Sequence, residues 1–538
     1  MERESSDFIS EIPVDYEMVN TCGRILSDTL LYLHAMNLTG ISPVIFHFQE
    51  DRTTMKNLKL TDWLVPAAGL IALFFSGSVW NVPVSAFIWP ACILYTLRRH
   101  PNWKTIVLMA LLYPAVRALA MGDSVGTGDL AVSIPATFIL TLPSFIPFLL
   151  DRFFYKKLAY PFNLFIFPFG IAAVEYLFSL TGFSVIANLA YSQVGNNAFI
   201  QIVSIIGTYG LSFFIALFAT VLLHCAEHGF RPEEIRKPAL TWLAVLVAFN
   251  FYGGIRLHSV PFAPESIKVA LGTGPEVELL EDGEWEVLTL QDNIDSLHES
   301  FEQAEGSRAE LLAFSEEAFT VSNVDQAAFV EEAQALAKEY GLYVHIPIEV
   351  DDEDGSNDCL SLNYYYFIDD QGNILAEYEK SILVPVIEKP YFVKGDKIIP
   401  GGTVTVAGKT FNYAGVICYD GDFPSYIRTM PADTGVYFNP SWEWEEVYKF
   451  HSHALVFRAV ENGVNMVKAT YEGYTFVTDY LGNILIDDHS VMEDIAVCDV
   501  PIEGVTTVYN TCGQFIDLLW PIGMAALIVL SFLSKKNA

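Results

Sequence analysis

The sequence predicts two unlike parts, an α-helical membrane bundle of about eight spans and a layered α/β domain. Three observations carry this reading. Long apolar runs recur through the first half of the chain and once more near its end. Residues 258–513 hold 46 Asp/Glu and 12 Lys/Arg, so the whole chain's net charge of −34 resides there and the rest is neutral. Within that acidic stretch, short apolar runs interleave with helical periodicity, the pattern of strands and helices packed in layers. Composition agrees: 52% hydrophobic residues, 17% charged and a mean hydropathy of +0.34, against about 25% charged in soluble domains. The strongly acidic balance excludes nucleic acid as a partner. Seven cysteines in 538 residues are too few for a disulfide scaffold.

A bilayer-crossing helix needs roughly 17–25 apolar residues. Seven such stretches precede the acidic domain: 63–79, 81–97, 103–121, 130–150, 158–180, 198–224 and 237–257. An eighth, 514–533, follows it. Only Asn81 and the Val82-Pro83 step divide the first pair, so a re-entrant hairpin is the alternative there. Residues 1–62 contain no span and no basic segment leading into an apolar core, so no cleavable signal peptide is expected.

Basic residues recur at alternate span ends: Arg52, Lys56 and Lys59; Arg98, Arg99 and Lys104; Arg152, Lys156 and Lys157; Arg231, Arg236 and Lys237; Lys535 and Lys536. The loops 122–129 and 181–197 carry none. Since Lys and Arg stay on the cytoplasmic side, both termini are expected in the cytoplasm of a multi-pass cell-membrane protein. The expected layout is a cytoplasmic segment 1–62, a seven-span region 63–257, an extracytoplasmic domain 258–513, and a last helix with its tail, 514–538. Arg117 and Glu175 lie inside spans, where charge is costly and calls for a partner or a function. An ion pair is expected, with a lipid headgroup contact as the functional alternative.

In the outer domain, strands are expected at 267–271, 309–315, 342–348, 363–369, 403–407, 413–419, 435–439, 464–469 and 474–479, and helices at 325–340 and 446–462. Cys418 ends one apolar run and enters the acidic turn Tyr419-Asp420-Gly421-Asp422. Lys380 closes the strand Leu375–Glu379, and Glu316 follows the run Leu311–Phe314. Three strand ends thus offer one rim a thiol, a cation and a base. A thiolate nucleophile needs a base for its proton and positive charge where an oxyanion develops.

Glu, Lys and Cys in this chain order resemble the catalytic triad of the nitrilase superfamily, the carbon-nitrogen hydrolases. Tyr378-Glu379-Lys380 with Leu383-Val384-Pro385 resembles the lysine motif, and Ile417-Cys418-Tyr419-Asp420 the cysteine motif. Arg458-Ala459-Val460-Glu461-Asn462 resembles the R-A-x-E-N helix. With seven spans before the domain and one after it, the chain is similar to the apolipoprotein N-acyltransferase family. Glu388 falls at that family's further glutamate, and Thr507 to Gly513 resembles its T-x-Y-x-x-x-G approach to the last span. There are departures. W-P-E reads Phe314-Ser315-Glu316, C-Y-E reads Cys418-Tyr419-Asp420, V-P-F-G-E reads Val384-Pro385-Val386-Ile387-Glu388, and N-D-x-W-F reads Asn439-Pro440-Ser441-Trp442-Glu443.

The resemblance implies a nitrilase-like αββα sandwich and a two-step acyl transfer from a phospholipid, through a thioester on Cys418, to the amine of a diacylglyceryl-cysteine lipoprotein. Glu316 would be the base, and Lys380 with a backbone N–H near Tyr419 would hold the oxyanion. Glu388, Tyr419 and Asp420 would be auxiliary residues. Trp442, Trp444, Tyr391 and Phe392 are expected to line an apolar entrance. Moving an acyl chain out of lipid costs about 0.8 kcal/mol per CH₂, so a site held at the membrane surface is favoured. A membrane-tethered amidase, or a transferase with another amine acceptor, is the alternative. No cofactor or metal is expected: His451 and His453 are two apart on a helix and point different ways. Arg458 and Glu461 are expected to pair. Cys359, Cys498 and Cys512 allow a disulfide whose pairing the sequence does not specify.

Overall fold

The computed structural model describes residues 60–183, 188–259, 264–275, 287–357, 360–444, 446–488 and 495–534. Most of the N-terminal segment, Lys535, Lys536 and Cys359 lie outside them.

Five described helices are long and apolar enough to cross a membrane: α3 (Trp103–Met121), the run 130–157 made of α4 (Leu130–Thr141) and α5 (Ile146–Phe154), α7 (Val203–Glu227), α8 (Pro232–His258) and α12 (Val508–Leu533). Five of the about eight expected spans are thus of full length among the described residues, and three hold shorter helices. The stretches 63–79, 81–97 and 158–180 contain α1 (Thr61–Phe74), α2 (Ser85–Arg99) and α6 (Ile166–Ser179), of 14, 15 and 14 residues. At 1.5 Å per residue these reach about 21–22 Å, short of a hydrocarbon core of about 30 Å. Hydropathy missed what ends them. Between α1 and α2 the chain turns tightly, with Val82 N–H donating to Phe75 O at 2.8 Å and Gly77 N–H to Asn81 Oδ1 at 2.9 Å. The apolar residues ahead of α6 are spent in 3₁₀ turns at 155–157 and 162–164. The intraspan charges are met by backbone: Arg117 donates to the carbonyl of Ser76, and Glu175 accepts from Leu189 N–H at 2.8 Å.

The α/β domain is a sandwich of two sheets. The first runs β15 (Ala496–Pro501), β1 (Ser266–Gly272), β2 (Leu311–Phe314), β4 (Tyr343–Asp351), β5 (Leu362–Ile368) and β6 (Ile374–Glu379), with β3 (Phe319–Ser322) paired to β4. The second runs β14 (Ile484–Asp488), β13 (Thr475–Thr478), β11 (Asn465–Lys468), β9 (Val436–Phe438), β8 (Lys409–Gly415) and β7 (Gly401–Val406). The central strands are parallel neighbours, as in β1–β2–β4 and β8–β9–β11. Both faces of such strands are covered, so they read as unbroken apolar runs; β2, β9 and β11 are buried throughout. Aromatic rings fill the gap between the sheets: His345 stacks on Phe438 at 4.7 Å, and the hydroxyl of Tyr365 donates to Gly415 O. Helices α9 (Leu290–Gly306) and α10 (Gln326–Tyr340) cover the first sheet, and α11 (Tyr448–Asn462) covers the second. Strands β3, β14 and β15 and helix α9 were not expected; α9, Leu290–Gly306, is too polar for its four buried residues to stand out.

Helix α11 also docks on the bundle. Inside α7, Gly207 takes φ +67°, so the helix breaks and restarts. The ring of Tyr509 fills the space a Cβ would need there. A restarted helix leaves N–H groups without intrahelical acceptors and attracts a carboxylate through its dipole. Glu461 supplies it, accepting from Thr208 N–H at 2.7 Å while pairing with Arg458 at 2.8 Å. Arg428 of the sandwich similarly reaches Asp517 of α12 at 2.6 Å.

Candidate active site

Glu316, Lys380 and Cys418 leave three strand ends and converge at one rim of the sandwich. Buried β2 ends at Phe314, and Ser315 N–H still donates to Gly272 O, so Glu316 is delivered at a fixed depth, 3% exposed. Lys380 follows β6, with its N–H held by Asn363 O, and is fully buried. Cys418 comes from the other sheet. Beyond β8, Val416 and Cys418 donate to Phe438 O and Pro440 O, and Cys418 then adopts φ +42°. A non-glycine residue in that region is strained; here the surrounding hydrogen bonds hold it at the start of the 3₁₀ turn Cys418–Asp422.

Lys380 Nζ bonds Glu316 Oε1 at 2.6 Å and also Glu388. Glu316 is fully engaged: Asn363 Nδ2 donates to Oε1 at 2.9 Å and Trp442 N–H to Oε2 at 2.9 Å. The Cys418 thiol lies 3.8 Å from Trp442 O, so one residue's backbone touches both the Glu316 carboxyl and the Cys418 thiol. Burial pushes the thiol well above its ordinary value; Glu316 and Glu388 add to this and Lys380 opposes it. Burial alone would pull Lys380 down, but Glu316 and Glu388 outweigh it and hold the ammonium well above its ordinary value. At rest the site therefore contains a thiol and an ammonium.

The other expected residues occupy distinct places. Glu388 holds Lys380 and, through Oε2, the N–H of Val384 at 2.8 Å. Asp420 is fully buried and tethers two loops, accepting from Tyr378 OH and Ile382 N–H, each at 2.7 Å. Burial pushes its carboxyl up to about 7 against those bonds. Its contacts are to protein, so it positions the Lys380 and Cys418 turns relative to each other. Tyr419 lies edge-on to Phe423 and donates to Gly182 O at 3.3 Å.

A cavity opens from Cys418 and Tyr419 toward the bundle. Val384, Pro385, Val386 and Trp444 of the α/β domain line one side, and Met121, Leu140 and Phe178 of the bundle the other. Trp444 is fixed by its indole N–H donating to Asp123 O at 2.8 Å. The expected aromatic entrance is corrected in part. Trp442 turns its ring outward to Tyr471 and Glu472, and acts through its backbone. Tyr391 and Phe392 lie outside the cavity wall, and Val384–Val386 stand there because Glu388 curls that loop back.

Sequence reasoning missed Asn363, Glu317 and a buried network. Asn363 Nδ2 bridges Glu316 and Glu317, at 2.9 and 2.7 Å; a lone amide inside the apolar strand β5 was its signal. Glu443 accepts from Lys468 at 2.9 Å and from His451, whose other ring nitrogen lies 3.3 Å from Asp422. Burial pushes Glu443 up, but Lys468 and His451 together outweigh it and hold its carboxyl below the ordinary range. Cys418, Cys498 and Cys512 are all free thiols.

The carbon-nitrogen hydrolase family model matches residues 269–510, and the apolipoprotein N-acyltransferase N-terminal domain model matches 67–221. The chain is similar to apolipoprotein N-acyltransferases of Geobacter metallireducens (27% identity; 69% of this chain and 74% of that protein) and Rickettsia typhi (24%; 81% and 91%). Among solved structures, an amidase from Nesterenkonia sp. is similar over 45% of this chain and 93% of its own, at 20% identity and a TM-score of 0.37. One polypeptide thus joins a match to the apolipoprotein N-acyltransferase N-terminal domain to a match to the carbon-nitrogen hydrolases, the combination expected of a membrane lipoprotein N-acyltransferase.

Proposed function

We propose that this protein is a membrane-integral acyltransferase that N-acylates lipoproteins, with Glu316, Lys380 and Cys418 as its catalytic triad. The observation that carries the reading is the placement of the Cys418 thiol: a buried carboxylate and ammonium on one side, an apolar cavity running between membrane helices on the other. In the first step Glu316 takes the thiol proton as Sγ attacks the carbonyl carbon of a phospholipid acyl ester. Lys380 stabilises the oxyanion that develops. The ester C–O bond then breaks, Glu316 returns the proton to the departing glycerol oxygen, and a lysophospholipid leaves. In the second step the α-amine of a diacylglyceryl-cysteine lipoprotein attacks the thioester. Glu316 takes a proton from nitrogen, the C–S bond breaks, and an amide forms as the thiol is restored. The catalytic domain is placed on the extracytoplasmic face, the topology the alternation of basic loops favours.

The test is the intact mass of detergent-purified protein incubated with a defined phospholipid and no acceptor. One added acyl chain, removed by hydroxylamine and absent in Cys418→Ala, is the expected result. Absence of an adduct together with absence of free fatty acid would sink the reading.

A further inference from the structure

The cavity at Cys418 has a neighbour. A second, smaller space lies inside the bundle, lined by Trp89, Tyr113 and Glu175 among others. The two share two wall residues, Ser144 and Phe178. Their characters differ. The bundle side of the first is apolar, built by residues such as Met121, Leu140 and the ring of Phe183, which stacks on Phe178 with centroids 6.2 Å apart. The second holds the Glu175 carboxyl, whose Oε1 accepts from Leu189 N–H while Oε2 is buried with no hydrogen-bond partner among the described residues. A hydrocarbon chain gains with each methylene it lays along an apolar wall. Past Phe178 it would instead take any remaining water from a buried, unpartnered carboxyl oxygen, which is unfavourable.

We propose that Phe178 and Ser144 form an end stop for the donor's acyl chain, with the polar space around Glu175 behind it, so that this pair sets the longest chain the enzyme accepts efficiently. The inference rests on the proposed acyl transfer, because it takes the Cys418 cavity as the seat of the acyl chain. It makes Phe178 and Ser144 specificity-determining rather than catalytic: both stand on the membrane-bundle side of the cavity.

The test is a competition. Purified enzyme is given an equimolar mixture of phosphatidylethanolamines whose saturated chains lengthen in two-carbon steps, and the acyl-enzyme mass distribution is read after brief incubation. In Phe178→Ala the distribution should move toward longer chains, the ratio of adjacent lengths beyond the wild-type optimum rising about tenfold, the worth of two buried methylenes. Ser144→Phe, which fills the same boundary from the other side, should move it toward shorter chains; it keeps the test decisive if Phe178→Ala does not fold. Wild-type distributions in both variants would overturn the end stop and leave the transferase reading standing. No acyl-enzyme in the wild type with any chain would overturn the transferase reading and the end stop with it.

Discussion

The two walls around Cys418 are built on opposite rules. On the sandwich side, buried Glu316, Lys380 and Asn363 and half-buried Glu388 are bonded to one another, and each group has a fixed direction. On the bundle side, the wall is mostly apolar, with Met121 of α3, Leu140 of α4 and Phe178 of α6. In the proposed reaction the first wall would act on the reacting atoms, where a misplaced charge is costly, and the second would hold the substrate, where shape and apolar area decide. Lesions on the two sides should therefore differ in kind as well as in size.

The largest break comes from the sandwich side. Lys380→Met leaves Glu316 and Glu388 buried without their shared cation, and removing one partner of a buried charge cluster costs about 3–5 kcal/mol. We expect loss of acyl-enzyme together with a clear fall in thermal midpoint. Adding Glu388→Gln should recover much of the midpoint and none of the activity; activity regained in the double variant would contradict the role given to Lys380.

Proton chemistry sharpens the same comparison. The Cys418 thiol sits well above its ordinary value because burial and two carboxylates disfavour the thiolate. Only the thiolate is alkylated, so below that value the thiolate fraction, and hence iodoacetamide inactivation, should rise about tenfold per pH unit with no plateau between roughly pH 6 and 8.5. A plateau near neutrality would mean a resting thiolate paired with Lys380.

The smallest effects should lie on the apolar side and differ between two tryptophans. Trp444→Ala removes a ring from the cavity wall and should raise KM for phospholipid about tenfold with little change in kcat, by the area it buries. Trp442→Phe keeps the backbone that touches Glu316 and Cys418 and changes an outward ring, so both constants should stay within about twofold. Equal effects from the two variants would erase the distinction between wall and backbone.

Much of this was legible in the sequence for a physical reason. The strands that deliver Glu316 and Cys418 are buried on both faces, so they stand out as apolar runs, and a titratable residue at the end of such a run is conspicuous. Helix α9 escaped notice because most of its surface is solvated, and α1, α2 and α6 looked longer than they are because hydropathy is blind to turns. The Glu443–His451–Lys468 network was illegible, since its members are ordinary residues until the fold closes. Trp442 was misread because its part is played by a backbone that any residue carries.

The break at Gly207 reaches further than its one glycine. Glu461 satisfies the amide that the interruption sets free, so a membrane helix is completed by a side chain from outside the bundle. Cut away from α7, the sandwich would carry Glu461 bound only to Arg458, while α7 would carry an amide with nothing to receive it in a medium without water. Neither half is self-sufficient at that point. The bond acts as a dowel between them: a tilt or slide of α7 must carry α11 with it, and the packing of that one helix in its bilayer bears on the ground under the second sheet, from which Cys418 projects.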